Sequence, residues 1–340
     1  MSFIDDPELR AKVLSLAAQA DRGQGRSLDE LIASDGSVRG QEAQRLRNFY
    51  TSECMEPGRD LDFYGRLLFM GNLEAVKDDF HNRVTSHRSS SSFDEEARKK
   101  AADELYSLKW GPTRVPIYQL LYFAGAIYPE NRQKQLQVMR WLIDEAKVSV
   151  DGRDLLGSTA IHLTLSTKPG FDPEIAQILY DGGADVNLRN RPGANAAHES
   201  TMILEPNIVE KGQTAAKAVD WFLTHGGNLD IKDNNGGTAR SNINLLRKMP
   251  KQYQKTFAPL YSVVERADKR RKELGDTCCT LCGTVPNGAA KLLFCSRCKV
   301  ARYCAPPKTC QKLDWPNHKE PCAKVAKALD TANPPKRAMK

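Results

Sequence analysis

The residues best suited to chemistry are cysteines collected near the end of the chain. Of nine cysteines, eight fall between Cys278 and Cys322, together with one of the six histidines. Their spacing gives two Cys-x2-Cys pairs followed by four further sulfur or imidazole donors, which are Cys279 and Cys282, Cys295 and Cys298, then Cys304, Cys310, His318 and Cys322. Tetrahedral zinc takes four such donors per ion. Eight donors therefore predict two closed zinc sites, which build structure and leave no open position for a catalytic water.

Two alternatives bear on this cluster. Cys278 competes with Cys279 for the place of first ligand, and we favour Cys279 because only it is separated from Cys282 by two residues. A disulfide framework is the other alternative, natural for a small secreted domain. We disfavour it because residues 1–10 are rich in Asp and Glu rather than resembling a signal peptide, and because Cys54 stands alone before the cluster. Metal binding contributes on the order of 10 kcal/mol to such segments, so we expect this one to need zinc in order to fold.

The cluster resembles a MYND-type zinc finger. The resemblance rests on the two Cys-x2-Cys pairs, the Tyr303-Cys304 dipeptide and the closing run that contains Cys310-Gln311, Trp315, His318-Lys319 and Cys322. It implies a cross-brace, in which the chain supplies ligands to the two ions alternately. By this resemblance the first zinc takes Cys279, Cys282, Cys304 and Cys310, and the second takes Cys295, Cys298, His318 and Cys322. Between Cys304 and Cys310 this sequence has five residues, where the family usually has three.

The same resemblance implies a peptide-binding surface. Fingers of this family accept short proline-containing peptides in a shallow groove, and Gln311 and Trp315 occupy the family positions that contact the ligand. An amide can fix a peptide backbone and an indole can stack on proline rings. The alternative for Trp315 is packing against the zinc core, and a finger with a purely structural role also stays open. The enlarged loop between Cys304 and Cys310 lies just before these positions. It is therefore where the peptide binding of the family is least expected to carry over to this chain.

Composition and charge exclude several classes of function. Of 340 residues, 40% are hydrophobic and 27% charged, the balance of a globular protein with two or three domains. No stretch approaches the twenty apolar residues of a membrane span, so we expect no membrane insertion. The unpaired thiols favour a reducing compartment, which is the cytoplasm, the nucleus or both.

The basic balance does not by itself indicate nucleic-acid binding. The formal charge is +8, and sixteen Lys and Arg against five Asp and Glu place +11 of it from Lys269 onward, leaving −3 for the rest of the chain. When the thiols bind zinc as thiolates, they add more negative charge than the ions add positive charge, so the C-terminal excess falls to about +8. The excess is spread over the run 269–272, scattered lysines and Lys336-Arg337. We interpret it as a solvated face or a targeting signal rather than a DNA-reading surface.

A repeated pattern precedes the cysteine-rich segment. The run Gly157-Ser158-Thr159-Ala160-Ile161-His162 is similar to the Gly-x-Thr-Pro-Leu-His opening of an ankyrin repeat, and residues 178–187 (ILYDGGADVN) are similar to its second helix and loop. Weaker copies occupy 66–77, 115–146, 193–198, 221–230 and 233–239. The resemblance covers about 60–264 and implies stacked helix pairs, because one pair has too small an apolar face to be stable alone.

Spacing locates insertions in this array. Ala146, Gly183 and Gly226 hold equivalent places at separations of 37 and 43 residues, against a period of about 33 in ankyrin repeats. The excess predicts inserted loops, which we place at 168–170 and 205–207. A Ser-rich stretch at 86–92 predicts an exposed insertion, followed by a charged helix over 94–108.

Two helices are predicted before the array. Apolar residues at helical spacing predict an amphipathic helix over 6–20. A second begins after Ser27, with Glu30 as its capping-box partner. We interpret both as helices that cap the start of the array.

The predicted fold class is mainly α, an ankyrin-repeat helical solenoid followed by a small two-zinc cross-brace MYND finger. The predicted segments are a helical N-terminal part (1–58), the array (59–264) with its insertion near 86–95, a basic connecting helix (265–276), the finger (277–322) and a basic tail (323–340).

The histidines outside the finger do not form a catalytic pattern. His162 and His198 fall at the repeat-opening position, where the family uses the imidazole to hydrogen-bond neighbouring turns. His225 precedes a Gly-Gly turn and is interpreted as loop-facing, and His81 and His87 lie near the Ser-rich stretch without a partner pattern. No phosphate loop, nucleophile elbow or zinc-protease helix is present.

These observations predict a non-enzymatic adaptor with two zinc ions. Its partners are proteins, including proline-rich segments bound by the finger, in transcriptional regulation or signalling. A ubiquitin-ligase component is the alternative, by analogy with other cross-braced zinc modules. Lysine methyltransferase activity is disfavoured because those enzymes carry a long β-rich segment around the finger, whereas only 18 residues follow Cys322. The oligomeric state stays open.

Overall fold

The computed structural model describes residues 25–88, 94–166, 170–202, 209–286, 291–305 and 310–332. The helix predicted over 6–20 lies outside this range. The insertions predicted at 168–170 and 205–207 also lie outside it, apart from Gly170. In the described parts of the chain no helix is both long and apolar enough to cross a bilayer.

The described residues are mostly helical. The helices are α1 Leu28–Ala33, α2 Gly40–Ser52, α3 Pro57–Asp60, α4 Phe63–Met70, α5 Leu73–His87, α6 Asp94–Ser107, α7 Ile117–Ile127, α8 Arg132–Asp144, α9 Ala160–Thr164, α10 Pro173–Asp181, α11 Ala196–Thr201, α12 Val209–Thr224, α13 Ala239–Leu246, α14 Lys251–Leu274 and α15 Cys310–Ala332. Short 3-10 turns occupy Pro129–Asn131 and Gly275–Thr277. Two small antiparallel hairpins pair β1 Lys109–Trp110 with β2 Val115–Pro116 and β3 Leu293–Phe294 with β4 Arg302–Tyr303.

Helices α4 to α14 form a stack of pairs in two layers. The pairs are α4 with α5, α7 with α8, α9 with α10, α11 with α12 and α13 with α14, and α6 packs on α5. The first helix of each pair contacts the first helix of the next, and α5, α8 and α10 form a second layer in the same order. A continuous apolar core runs through the stack from Leu61 to Val264. The mainly helical solenoid expected from the sequence is therefore present.

Three turns with the same chemistry open α9, α11 and α13. Each begins with Asp or Asn, whose side-chain oxygen accepts a hydrogen bond from the backbone nitrogen four residues later, at 2.8 to 2.9 Å. Each has a glycine with positive φ three residues after the acid or amide. The three acceptor and glycine pairs are Asp154 with Gly157, Asn190 with Gly193, and Asp233 with Gly236. We call these turns, residues 153–158, 189–194 and 232–237, the turn edge.

Histidines link successive turns. The Nδ1 of His162 accepts from the backbone nitrogen of Thr159, so its Nε2 carries the proton and donates to the carbonyl of Ala194 at 3.3 Å. His198 is placed equivalently and donates to the carbonyl of Gly237 at 3.4 Å. The predicted structural role of both residues is confirmed. Burial lowers the pKa of His162 to about 4, so the ring is neutral near pH 7.

The last helix of the stack, α14, packs closely against α12 of the preceding pair. α14 is one continuous helix, so it crosses the domain boundary that the sequence placed after Val264. Its first half is buried against α12 through Phe257 and Leu260. Where the two helices meet, a Cβ on Gly212 would overlap the carbonyl of Thr256. The second half of α14 extends away from the core and carries basic residues toward the finger.

Residues 25–52 lie across the turn edge. The capping box predicted between Ser27 and Glu30 is confirmed at the start of α1. Helices α1 and α2 share a small apolar cluster of their own, built on Leu31 and Leu46. We call residues 25–52 the strap, and the sequence did not indicate where it would lie.

Candidate metal centre

The first cysteine pair is held in a tight turn. The backbone nitrogen of Gly283 donates to the carbonyl of Cys279 at 2.9 Å, and that of Cys279 donates to the carbonyl of Thr284 at 2.9 Å. Gly283 adopts a φ of +69°, which glycine allows without strain. The reversal turns the sulfurs of Cys279 and Cys282 toward one point.

The second pair repeats this geometry with a non-glycine residue. The backbone nitrogen of Lys299 donates to the carbonyl of Cys295 at 3.0 Å, and that of Cys295 donates to the carbonyl of Ala301 at 2.8 Å. Lys299 has a φ of +57°, a conformation that costs such a residue about 1 kcal/mol and needs support from its surroundings. A bound metal at Cys295 and Cys298 would supply that support.

The remaining ligands come from β4 and α15. Cys304 directly follows β4, and α15 carries Cys310, His318 and Cys322. The hydroxyl of Tyr303 donates to Oδ2 of Asp314 at 2.6 Å, and both residues are buried. This bond fixes the hairpin to the helix, so it sets the distance between the early and late ligands.

The structure brings the eight candidate donors into the two groups that the resemblance to the MYND finger implied. One contains Cys279, Cys282, Cys304 and Cys310, and the other Cys295, Cys298, His318 and Cys322; within each group the donor atoms lie within 4.8 Å of one another. Because the two groups alternate along the chain, the arrangement is a cross-brace.

The distances between donor atoms fit tetrahedral zinc. A tetrahedron with Zn–S bonds of about 2.3 Å separates sulfurs by roughly 3.8 Å, and an imidazole nitrogen lies roughly 3.5 Å from each sulfur. The observed separations are 3.5 Å for Cys282 Sγ to Cys304 Sγ and 3.8 Å for Cys282 Sγ to Cys310 Sγ. In the other group Cys295 Sγ lies 3.7 Å from Cys322 Sγ. The sulfur of Cys298 lies 3.5 Å from Nε2 of His318.

Crowding of the thiols also favours a divalent cation. Hydrogen bonds from Cys279 and Cys310 lower the pKa of Cys282, whereas burial and the Cys282 thiolate raise the pKa of Cys304 to about 12. One thiolate thus makes its neighbour harder to ionise. Zinc supplies the positive charge that lets all of them be thiolates together. The two groups are positioned to bind two zinc ions.

Cys278 points away from the metal groups. Its sulfur is buried and donates to the carbonyl of Gly275 at 3.5 Å, while the sulfur of Cys279 lies in the first group. The geometry thus favours Cys279, as its spacing does.

The finger is docked on the end of the helical stack. Nη2 of Arg271, on α14, donates to the carbonyls of Cys279, Thr280 and Leu281, with distances of 3.2 Å to the first and 3.0 Å to the last. Nδ2 of Asn228 donates to the carbonyl of Leu281 at 2.8 Å. Nδ2 of Asn317 donates to the carbonyl of Asp230 at 2.9 Å.

An apolar contact completes this junction. Ile231, which directly precedes the last turn, is buried and belongs to the apolar cluster of the finger rather than to the core of the stack. A cavity of about 480 Å³ remains beside the junction, between α12, α14 and the first cysteine pair. The finger and the stack therefore share an interface.

Sequence reasoning missed the residues of this junction. It placed Arg271 in a basic run interpreted as a solvated face or targeting signal, whereas its guanidinium is occupied by backbone carbonyls of the finger. No sequence signal could have indicated the pairing, because the acceptors are main-chain atoms that any residue carries.

The two candidate peptide contacts lie at the start of α15. Gln311 is exposed, and the indole of Trp315 retains 39% of its surface. Trp315 contacts the ring of His318 at a centroid distance of 6.2 Å, and Tyr303 contacts the same ring at 5.9 Å. Trp315 is therefore partly packed on a metal ligand and partly open to solvent.

Comparison with known proteins agrees with the metal centre. Residues 279–322 match the family model of the MYND finger. Human histone-lysine N-methyltransferase SMYD3 is 46% identical over 48 residues, which are 14% of this chain and 10% of that protein. The chain thus spans about a tenth of that relative's length, and the similarity is confined to the finger.

Two solved structures are similar to part of this chain. The ankyrin repeat protein EF0377 is 18% identical, with 59% of this chain and 95% of that chain covered and a TM-score of 0.37. An ankyrin repeat domain from Acinetobacter baumannii AYE is 16% identical, with 59% and 97% covered and a TM-score of 0.34. Scores this low carry no weight alone, so the repeat assignment rests on the recurring turns, the capping histidines and the layered pairs. Residues 279–322 form a MYND zinc finger, and the helical pairs that precede it form an ankyrin-like array.

Proposed function

We propose that this protein is a non-enzymatic adaptor whose MYND finger binds proline-containing peptides while the helical stack binds a second protein. Both module types typically serve protein interaction. The supporting observation is the half-exposed indole of Trp315 on a helix fixed by zinc ligands. A rigid aromatic side chain that is open on one face can stack on a proline ring with little loss of entropy.

The surroundings of Trp315 suit an extended peptide. Gln311 lies one turn earlier on α15, so both side chains project from the same helix face. Asn317, which contacts the stack, follows two residues later and projects from another face. Docking of the finger therefore leaves the proposed groove open.

An exposed leucine lies on the hairpin that contacts α15. Leu293 pairs with Tyr303 across the hairpin and is 49% exposed. Tyr303 packs on His318, and His318 contacts Trp315. Leu293 was not predicted from the sequence, although an apolar residue two positions before a zinc ligand in a small hairpin is a signal that indicates it.

Titration calorimetry with a panel of proline-containing peptides tests the proposal. We expect Trp315→Ala to weaken binding about 30-fold, equivalent to about 2 kcal/mol for loss of a central aromatic contact. Lys324→Ala, at an exposed position on the opposite face of the same helix, is the matched control and should bind as the wild type does. Both variants should retain two zinc ions. Unchanged affinity in Trp315→Ala, with zinc intact, would remove the groove assignment.

The interleaved ligand order supports a second candidate, a ubiquitin-ligase component. Other cross-braced zinc modules recruit ubiquitin-conjugating enzymes, and likeness of topology is an analogy only. Ubiquitin transfer in a reconstituted assay, abolished by Cys295→Ser, would favour this candidate over the adaptor. We do not extend methyltransferase activity from SMYD3, because the similarity is confined to the finger. Zinc binding needs reduced thiols, which supports a location in the cytoplasm or the nucleus.

A further inference from the structure

The strap, residues 25–52, is held on the turn edge by side chains of the helical stack. Arg191 donates to the carbonyls of Leu31 and Gly36 at 2.9 Å each. Asn234 Nδ2 donates to the carbonyl of Val38 at 2.7 Å. Arg114, from the turn that precedes α7, donates to the carbonyl of Ile32 at 2.8 Å. These donors contact the main chain of the strap, so this part of the surface binds a backbone shape rather than a particular sequence.

One further contact selects a side chain. The hydroxyl of Tyr50, on α2, donates to Oδ2 of Asp154 at 2.9 Å, on the first turn of the edge. Asp154 is buried. The surface thus offers a buried carboxylate to a hydroxyl.

The apolar packing of the strap is largely its own. Its cluster contains Leu31, Val38, Ala43 and Leu46, all fully buried, whereas the stack contributes only Leu155 to the fully buried part of that cluster. Arg26 and Glu42 form an ion pair within the strap at 2.8 Å. The strap is therefore a small folded unit that adheres to the stack mainly through polar contacts. Water can satisfy the donors and acceptors of these contacts once the strap lifts, and lifting uncovers little of the apolar core of the stack, so the strap can separate while the stack stays folded.

We propose that the turn edge is a docking surface for a helical segment of a partner protein, and that the strap is its resident occupant. The partner segment presents free backbone carbonyls in a short extended stretch. A helix follows, with apolar residues three apart and with a hydroxyl on the adjoining face. It takes the place of the strap, so binding to the stack requires the strap to lift. This assigns the stack's partner surface within the proposed adaptor role and does not depend on the peptide groove of the finger.

Hydrogen exchange of the zinc-loaded full chain tests whether the strap lifts. We expect amides of Leu31, Val38 and Leu46 to exchange about 100-fold faster than amides of α12, because the strap opens while the stack stays folded. Equal protection of the strap and α12 would overturn the proposal, since the strap would then unfold only with the whole molecule.

A synthetic peptide of residues 25–52 serves as the probe for the vacated surface. In the full chain, Leu46→Asp breaks the strap's own cluster and leaves the core of the stack unchanged. The labelled peptide should bind this variant at least about 10-fold more tightly than it binds the wild type, because its site is no longer filled. Leu245→Asp, at a leucine that is 62% exposed, is the matched control and should bind as the wild type does.

The peptide itself provides the specificity control. A version with Tyr50→Phe should bind the opened chain several-fold more weakly than the natural sequence. Equal binding of the natural peptide to wild type and Leu46→Asp would contradict the proposal, as would no binding to either. The exchange measurement needs no variant, so it decides the matter even where Leu46→Asp disturbs folding. Neither measurement involves proline peptides, so the finger's groove can fail or succeed separately.

Discussion

The contact between Arg271 and the finger gives a prediction that can be worked out in detail. One guanidinium nitrogen donates to the carbonyls of three consecutive residues, of which Cys279 is a zinc ligand. A hydrogen bond from a charged donor contributes about 1.5–3 kcal/mol. Three acceptors share one nitrogen, and Arg271 is only half-buried, so we expect Arg271→Ala to lower stability by about 2 kcal/mol in total. The neighbouring Arg270 is exposed, which makes Arg270→Ala the matched control.

Thermal unfolding of the zinc-loaded full chain measures this difference. Unfolding entropy of about 2 cal/mol/K per residue converts 2 kcal/mol into a Tm lower by roughly 3 °C for a chain of this length. Arg270→Ala should melt with the wild type. Chelation of zinc should act on the same contacts, so amides at 228–231, which meet the finger, should exchange faster once the ions are removed. Equal Tm values for the two arginine variants would refute the docked arrangement. Amide exchange rates at 228–231 that stay the same after zinc is removed would also refute it.

Two further predictions concern the helical stack. The pKa of His162 is lowered to about 4, below its ordinary value of about 6.5, so the unfolded chain binds this proton first and stability falls as pH drops from 6.5 through 4. The variant His162→Gln keeps the capping box but does not titrate. Between pH 7 and pH 4, urea unfolding should show that the free energy of unfolding falls by up to about 3 kcal/mol more in the wild type than in this variant. An equal fall in both proteins would contradict a buried, neutral ring. Gly212→Val should destabilise the chain by about 3 kcal/mol or more, because the valine side chain would overlap α14 at Thr256. Gly58→Val is the control, since a Cβ at Gly58 has open space around it. Similar urea midpoints for the two variants would contradict the close crossing of α12 and α14.

The eight metal donors and the repeat chemistry could be predicted because both depend on local spacing. A Cys-x2-Cys pair closes a turn from its own residues, whereas the division of the eight donors between two ions is implied by the resemblance to the MYND finger. His162 and His198 were predictable for the same reason, since a capping box spans only three residues. The recurring Asp or Asn followed by glycine carries the turns in the same local way.

The long-range contacts could not be predicted. The strap meets turns that are far away in sequence, and Arg191 recognises its main-chain carbonyls, which leave no trace in composition. The boundary expected after Val264 fell inside a single helix because α14 serves two partners, with Phe257 buried against α12 and Arg271 directed at the finger. Charge alone does not distinguish an arginine bound to carbonyls from one in water.

Zinc content is the most direct test of the metal centre, and two adjacent cysteines supply its control. Native mass spectrometry of the full chain should find two zinc ions in the wild type and two in Cys278→Ser, because that sulfur faces the carbonyl of Gly275. Cys279→Ser should lose zinc from the first group and keep it in the second, leaving one ion bound tightly. Loss of an ion from Cys278→Ser, with Cys279→Ser retaining both, would contradict the ligand set on which the finger and its docking depend.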